Sequence, residues 1–490
     1  MKMVSVIGSG FSGLSAACYA AKFGYAVTVF EKNETVGGRA RHFCEQGFTF
    51  DMGPSWYWMP DVFERMYNDF GKTTSDFYEL KKLDPGFQIF FGDGSELALP
   101  AELDDVYALF ESIEKGSSDN LRNFLREGEY KYKVGMLDLA YKPSLSWMEF
   151  LTLSVIKGAS KTHLLTSMKD YVRTFFKDER LIKLMEFPVL FLGAMPDKIP
   201  ALYSLMNYSA ISQGTFYPQG GMLKIVEGLQ SLAESLNVKF ECTNAVERIL
   251  TEDNQVTGLK THRGIYKTDA VIASADYHHV EKALLRDTGK ANYSEAYWNK
   301  KTFAPSCLIF YLGVNKKIKK LLHHNLFFDS DFEAHSREIY DTPEWPSDPL
   351  FYVCCPSKTD DSVAPQGMEN LFLLVPIAPG IKDSEEIREK YFKLLITRLE
   401  KITDDQILSN IVYKRSYCLN DFMMDYNSYK GNAYGLANTL RQTAFMKPSL
   451  KSKKLSNLFY AGQLTVPGPG VPPALISGKI AAEQLKKHWR

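Results

Sequence analysis

The 490-residue chain balances 58 Lys and Arg against 58 Asp and Glu, which removes any global attraction to nucleic acid. Its seven cysteines are odd in number and lack CxxC spacing, and no apolar run reaches the length of a bilayer span; this excludes a disulfide framework, a zinc ribbon and a membrane-spanning helix, and fits reduced, cytosolic usage. The length suits two domains or one elaborate one, and an aromatic content of 13% leaves material for a long apolar cavity.

The first elements carry the strongest signal. Met3-Val4-Ser5-Val6-Ile7 has strand character, and the Ala-rich stretch Leu14 to Lys22 has helix character. Between them lies Gly8-Ser9-Gly10-Phe11-Ser12-Gly13. Val27-Thr28-Val29 then forms a second strand ending at Glu31. This is the βαβ dinucleotide fingerprint in its proper context. Gly8 permits the tight turn, Gly10 lets backbone approach a pyrophosphate, and Gly13 lets the helix lie close to the sheet. The helix N-terminus offers N–H groups and a positive dipole end, with Phe11 and Ser12 in its first turn. Glu31 is spaced to accept hydrogen bonds from ribose hydroxyls and would repel a 2′-phosphate, which argues against NADP. Lys32 follows it. Gly37-Gly38-Arg39 narrows the ligand to FAD, with Gly38 and Arg39 facing phosphate.

Further along, Phe50-Asp51-Met52-Gly53-Pro54-Ser55 has the form of a turn entering a helix. Gly53, Pro54 and Ser55 are candidate cofactor contacts, and Asp51 suits a turn cap. The spacing of Val106, Leu109, Phe110 and Ile113 behind Asp104-Asp105 predicts a helix with an acidic first turn. Residues 145–156 read as a core or cavity-lining helix ahead of a membrane-surface helix flanked by Lys142, Lys157 and Lys161. Tyr217-Pro218-Gln219-Gly220-Gly221-Met222 is a turn cluster leading into a helix with Leu223, Val226, Leu229, Leu232 and Leu236 on one face. Short strands at 238–242, 245–249, 256–259 and 270–273 are expected to complete the dinucleotide sheet, with Val246 meeting adenine through its backbone. From 290 to 415, strands such as 308–312 and 371–375 and a helix around 385–400 suit a second sheet covering the substrate.

The chain end repeats strand, turn, helix. Leu458 to Gly462 is a strand, Thr465 to Pro473 a rigid Pro-Gly turn, and Ala474 to Lys487 a helix. Aimed at a flavin pyrimidine ring, that helix would stabilise charge gathered on reduction, with Gly470 and Val471 supplying N–H groups and Gly462 and Gln463 lining the approach. His278-His279 and His323-His324 are adjacent pairs without the i, i+4 spacing of helical ligands, so no metal is predicted. Cys354-Cys355 reads as part of a buried strand.

Four blocks together resemble the bacterial-type carotenoid desaturases, the phytoene desaturase family. They are Val6 to Gly13 with Glu31 and Gly37-Gly38-Arg39-Ala40; Phe50 to Ser55; Tyr217 to Met222; and Asn457 to Pro472. The last is the most specific, and Ser55 stands where the family carries Thr. The resemblance implies an α/β fold: a discontinuous Rossmann-like FAD-binding domain (1–80, 217–290 and 416–490) and a mixed α+β substrate and membrane-associating domain (81–216 and 291–415). It implies desaturation of an apolar carotenoid, acyclic or monocyclic, with hydride transfer to FAD, and is similar also to the branch acting on 1-hydroxycarotenoids at the 3,4 bond. It further implies a cytoplasmic protein held peripherally on membranes, with oxygen or a quinone as the final acceptor. A conjugated polyene spreads positive charge, so the demand for a strong base is low, and no base is named from the sequence. Two other classes remain open: a flavin amine oxidase-type enzyme, and a non-redox flavoprotein that binds or isomerises polyenes.

Overall fold

A computed structural model describes residues 1–150, 163, 166–439 and 441–489. At its centre is a five-stranded parallel sheet in the order Leu458–Tyr460, Ala270–Ala273, β1 (Met3–Ile7), β2 (Ala26–Phe30), Lys239–Glu241. Its strands are short and apolar because both faces are covered, as parallel sheets require; Val6, Val29, Ile272 and Phe459 are fully buried. Helix α1 (Phe11–Lys22) packs against this sheet and along the C-terminal helix Val471–His488. Two glycines set that close approach. A Cβ on Gly13 would stand 2.0 Å from the Gly8 carbonyl oxygen, and one on Gly478 would stand 2.3 Å from the Ser12 carbonyl oxygen.

A seven-stranded sheet forms the second layer, in the order Ile411–Tyr417, Ser306–Val314, Glu369–Ile377, Phe351–Cys354, His324–Phe328, Phe87–Phe91, Glu96–Leu99. Its pairs are antiparallel except Phe87–Phe91 with His324–Phe328. The strand Ser306–Val314 is buried on both sides, and its side chains divide by the strand period of two. Leu308, Phe310 and Leu312 join the core under the helix Glu385–Thr403, while Ile309 and Tyr311 face an aromatic core on the other side. Ser384 caps that helix, its hydroxyl accepting from the Ile387 N–H. Helices Leu103–Ile113, Ser117–Gly135, Met168–Arg173 and Glu179–Glu186 roof the aromatic core. Val106 and Phe110 are its fully buried residues on the first of them.

Several local expectations change. Only Lys239–Glu241 and Ala270–Ala273 join the parallel sheet; residues 246–267 form their own three-stranded antiparallel sheet, because tight turns fold consecutive strands onto each other. Phe48–Asp51 is a strand, and the next helix begins only at Pro60. Asp51 instead caps a different helix, its carboxylate accepting from the backbone N–H groups of Met222 (2.9 Å) and Leu223 (3.2 Å). The C-terminal helix starts at Val471, which puts Pro472 and Pro473 inside its first turn, where their missing N–H groups cost nothing. Of the amphipathic stretch 145–156, residues 151–156 lie outside the described residues; Trp147–Phe150 is a 3-10 turn. Among the described residues no helix is long and apolar enough to cross a membrane.

Candidate functional site

A cleft of about 280 Å³ opens at the carboxyl ends of the parallel strands, where open α/β sheets bind ligands. Gly8 turns the chain there with φ of +94°, a conformation open to glycine, and donates its N–H to the Phe30 carbonyl at 2.8 Å. Gly10 precedes α1 and no side chain caps that helix, so its positive end is directed into the cleft. A Cβ on Gly10 would meet no protein atom within 4 Å; the glycine there serves close approach by something other than this chain.

Glu31 sits at the tip of β2, buried, and its carboxylate accepts from Ser9 N–H (2.9 Å), Ser9 Oγ (2.6 Å), Asn33 N–H (2.9 Å) and Asn33 Nδ2 (3.0 Å). It therefore locks the glycine turn to the second strand. Arg39 lines the cleft and donates to Ser428 Oγ and the Asn432 carbonyl, both at 3.1 Å, while its Nε is buried without a partner. Burial lowers its pKa, and Asp276 is the strongest opposing influence. Arg41 reaches Asp425 at 2.7 Å, tying the same turn to the far wall.

A second cavity, of about 550 Å³, runs from this cleft toward the helical roof. Trp56, Trp58, Phe187, Phe328, Ile339 and Met206 are among its walls, and no Asp, Glu, Lys or Arg lines it among the described residues. Gly53, Pro54, Leu374, Tyr434, Gly470 and Val471 line both spaces, so the two meet there. Gly470, with φ of +112°, forms the entry to the C-terminal helix at this junction.

Gly8, Gly10, Phe11, Ser12, Glu31, Lys32, Gly38 and Arg39 all line the cleft, as do Gly53, Pro54, Val246, Gly462, Gln463, Gly470 and Val471. Two sequence candidates do not. Gly13 is pressed against Gly8 and serves helix packing. Ser55 lies beyond the junction, on the wall of the apolar cavity. The Gly462 N–H is already donated to Ser477 Oγ at 2.9 Å. Asn33, Asp276, His279, Asp425, Tyr426 and Tyr434 also line the cleft and were not singled out. Asp276 follows the strand Ala270–Ala273, so its place past a strand end was a readable signal; the 425–434 loop carries none.

The fold also gathers His323, His324 and Cys354, whose donor atoms lie within 4.8 Å of one another. Helical spacing could not reveal this, because two different strands meet there. Burial pulls both imidazoles down, His323 to about 3 and His324 well below its ordinary value, and pushes the Cys354 thiol up to about 12.

Comparison with known proteins bears on this geometry. The model of the flavin containing amine oxidoreductases matches residues 11–486. The carotenoid 3,4-desaturase of Haloarcula japonica is 41% identical over 483 residues, covering 98% of this chain and 97% of that protein. The chain belongs to the flavin-containing amine oxidoreductase family, on its carotenoid desaturase branch. The zeta-carotene-forming phytoene desaturase of Myxococcus xanthus is 31% identical, covering 99% of this chain and 94% of that one. Among solved structures, an oxidoreductase from Methanosarcina mazei aligns with a TM-score of 0.64 at 15% identity, covering 98% of this chain and all of that one. Putrescine oxidase bound to putrescine aligns with a TM-score of 0.61 at 11% identity, covering 99% of both chains. At such identities these likenesses speak for the fold alone.

The chain is thus an FAD-dependent oxidoreductase of the family. The cleft fits that group: a cradle left open at Gly10, an uncapped helix end, the Arg39 side chain on its wall with a buried, unpartnered Nε, and a carboxylate at the end of β2.

Proposed function

We propose that this protein is a carotenoid desaturase that introduces C=C bonds into an acyclic or monocyclic polyene held in the apolar cavity. The observation that carries the reading is the junction at Gly53, Pro54, Leu374, Tyr434, Gly470 and Val471, where a dinucleotide-shaped cleft opens into a large cavity without charged walls. Bound in the cleft, FAD supplies the acceptor for a hydride. The chain supplies the rest. Gly10, Phe11, Ser12, Gly38 and Arg39 hold the pyrophosphate through backbone N–H groups, helix dipole and positive charge. Glu31 accepts from the ribose, with Ser9 Oγ, a freely rotating hydroxyl, as the donor that yields. Lys32 and Val246 flank the adenosine. Gly462, Gln463, Gly470 and Val471 bring the C-terminal helix end to the flavin ring, where its dipole favours negative charge.

The apolar walls orient the polyene and exclude water, which is the protein's main contribution when charge is delocalised over the substrate. An amine oxidase would need polar recognition of a soluble amine, and the cavity offers no carboxylate for it among the described residues. Residues 1–80, 217–290 and 416–490 serve the cofactor in this reading, and 81–216 and 291–415 the substrate. Membrane delivery of the polyene is part of the proposal. Phe445 lines the cavity and is 49% exposed, and Leu145 and Met148, beside the cavity-lining Ser144, are 48% and 66% exposed. Such an apolar rim suits peripheral contact with a bilayer from the cytoplasmic side. Oxygen or a quinone then reoxidises the cofactor.

The test is a pigment profile. Expressed beside candidate carotenoids in a host that makes none, the protein is expected to yield products shifted to longer wavelength and lighter by two hydrogens per new bond. Unchanged pigments with every acyclic and monocyclic candidate, from a protein that purifies yellow, would end the desaturase reading and leave the isomerase one.

A further inference from the structure

Desaturation removes two hydrogens from adjacent carbons. One leaves as hydride; the other must leave as a proton, and the apolar cavity offers almost nothing to take it. On its wall, however, Ser55 and Tyr352 stand together close to the junction. The Tyr352 hydroxyl bonds Ser55 Oγ at 3.0 Å and His324 Nδ1 at 2.6 Å. His324 is fully buried, stacked on Trp56 with ring centroids 4.0 Å apart, and its Nε2 has no partner. Next to it His323, with ring centroids 4.5 Å away, holds Thr359 Oγ1 at 2.8 Å through its Nδ1. Thr359 is half-buried, and its carbonyl accepts from the exposed Lys81 Nζ at 3.3 Å. Exchangeable hydrogens therefore link the cavity wall to the buried His324, while His323 and Thr359 form a separate pair beside it.

We propose that Ser55, Tyr352 and His324 take up the proton that desaturation releases. The inference rests on the desaturase reading above. As the hydride departs to the flavin with its electron pair, the neighbouring C–H pair becomes the second bond of the new C=C. Its proton passes to Ser55 Oγ, the Ser55 hydrogen to Tyr352, and the Tyr352 hydrogen to His324 Nδ1. His324 holds it as an imidazolium until the product leaves, and the proton then returns by the same hydroxyls to water in the emptied cavity. Serine and tyrosine hydroxyls both donate and accept, so the chain can run in this direction. Weak bases suffice because a proton beside a delocalised cation is strongly acidic.

A small cavity of about 20 Å³ with mostly apolar walls touches Ser55, Asp51, Tyr217, His323 and Cys354. The charged and titratable groups facing the two imidazoles are Asp51, Tyr217, Cys354, Asp360 and Lys81. Burial disfavours the His324 imidazolium, which returns the proton once the product has gone.

Ser55 touches the substrate space; Tyr352 and His324 act through it as positioning and relay residues. The test uses FAD-loaded protein under anaerobic conditions with a carotenoid that the wild type desaturates. Tyr352→Phe keeps the ring and removes the relay. It is expected to slow flavin bleaching about 10²-fold, leave the substrate concentration for half-maximal rate unchanged, and abolish the solvent deuterium isotope effect of the wild type. Ser55→Ala should behave alike and Ser55→Thr should restore the rate. A pH-indicator dye should show proton release to solvent delayed in the variants. Wild-type rates and isotope effects in both Tyr352→Phe and Ser55→Ala would overturn the relay. So would elemental analysis finding one transition metal per chain, lost in His324→Gln, because a metal would occupy the open nitrogens. A wild type that bleaches with no carotenoid overturns the desaturase reading and the relay with it, whereas normal wild-type bleaching with unaffected variants overturns the relay alone.

Discussion

The two spaces that meet at Gly470 are built on opposite principles. The cleft is made of backbone: glycine turns, strand ends and a helix terminus, with a few charged side chains at fixed spacings. The apolar cavity is made of side chains drawn from several separate strands and helices, held mainly by packing. A backbone site depends on glycine turns and helix ends and therefore writes itself into the sequence as a local pattern, whereas a packed wall needs only apolar volume, which many residues supply. The first should fail abruptly on small insertions; the second should fail gradually and selectively.

Gly13→Val should have the largest effect, because its Cβ would stand 2.0 Å from backbone that cannot yield. A loss of about 3 kcal/mol or more is expected, read as thermal unfolding of a colourless protein; a stable yellow variant would show that the turn can open. Next is the pH dependence of Asp51. Burial raises its carboxyl from 3.8 to about 6; it lines the small cavity beside Tyr217 and His323. Because the folded chain binds this proton more tightly than the unfolded one, the contribution is fully present below pH 3.8. It is lost as pH rises through 6, in total about 3 kcal/mol. Urea unfolding of Asp51→Asn from pH 4 to 7 should show that slope flattened, and an unchanged slope would remove Asp51 as its source.

Glu31→Ala leaves the Ser9 and Asn33 donors without their acceptor and removes the ribose contact. Flavin retention should weaken by about 2 kcal/mol, measured by equilibrium dialysis, with the apolar cavity unaffected; equal retention would end the ribose role. Ile339→Trp fills the apolar cavity from one wall. Turnover of a long polyene should fall about tenfold, that is about 1.4 kcal/mol, at full flavin content; loss of flavin instead would mean that the two spaces are not separable. Gly470→Val is the mildest, since it strains the junction at φ of +112° and brings a Cβ to 3.2 Å from Pro473 Cδ. It should keep flavin and slow reduction severalfold by stopped-flow absorbance.

The same contrast explains what could be read in advance. Gly8, Gly10, Glu31, Arg39 and Gly470 were legible because each answers a local demand of turn geometry, charge or helix ending. The separate sheet at 246–267 was not, since strand character does not say which edge a strand will join. Ser55 looked like a cofactor contact because it follows Gly53 and Pro54, yet one further residue carries it past the junction. The hydrogen bond of His324 to Tyr352 and the pairing of His324 with Cys354 depend on strand register across nearly thirty residues.

Local chemistry in the amino-acid order determined the dinucleotide cleft, its cofactor and the family, because turns, caps and charges act over a few bonds. Tertiary structure alone decided that an apolar chamber opens beside Gly470 and that a hydroxyl–imidazole chain runs from its wall to His324. Those depend on which distant segments come to share a wall, and long-range packing is degenerate in sequence.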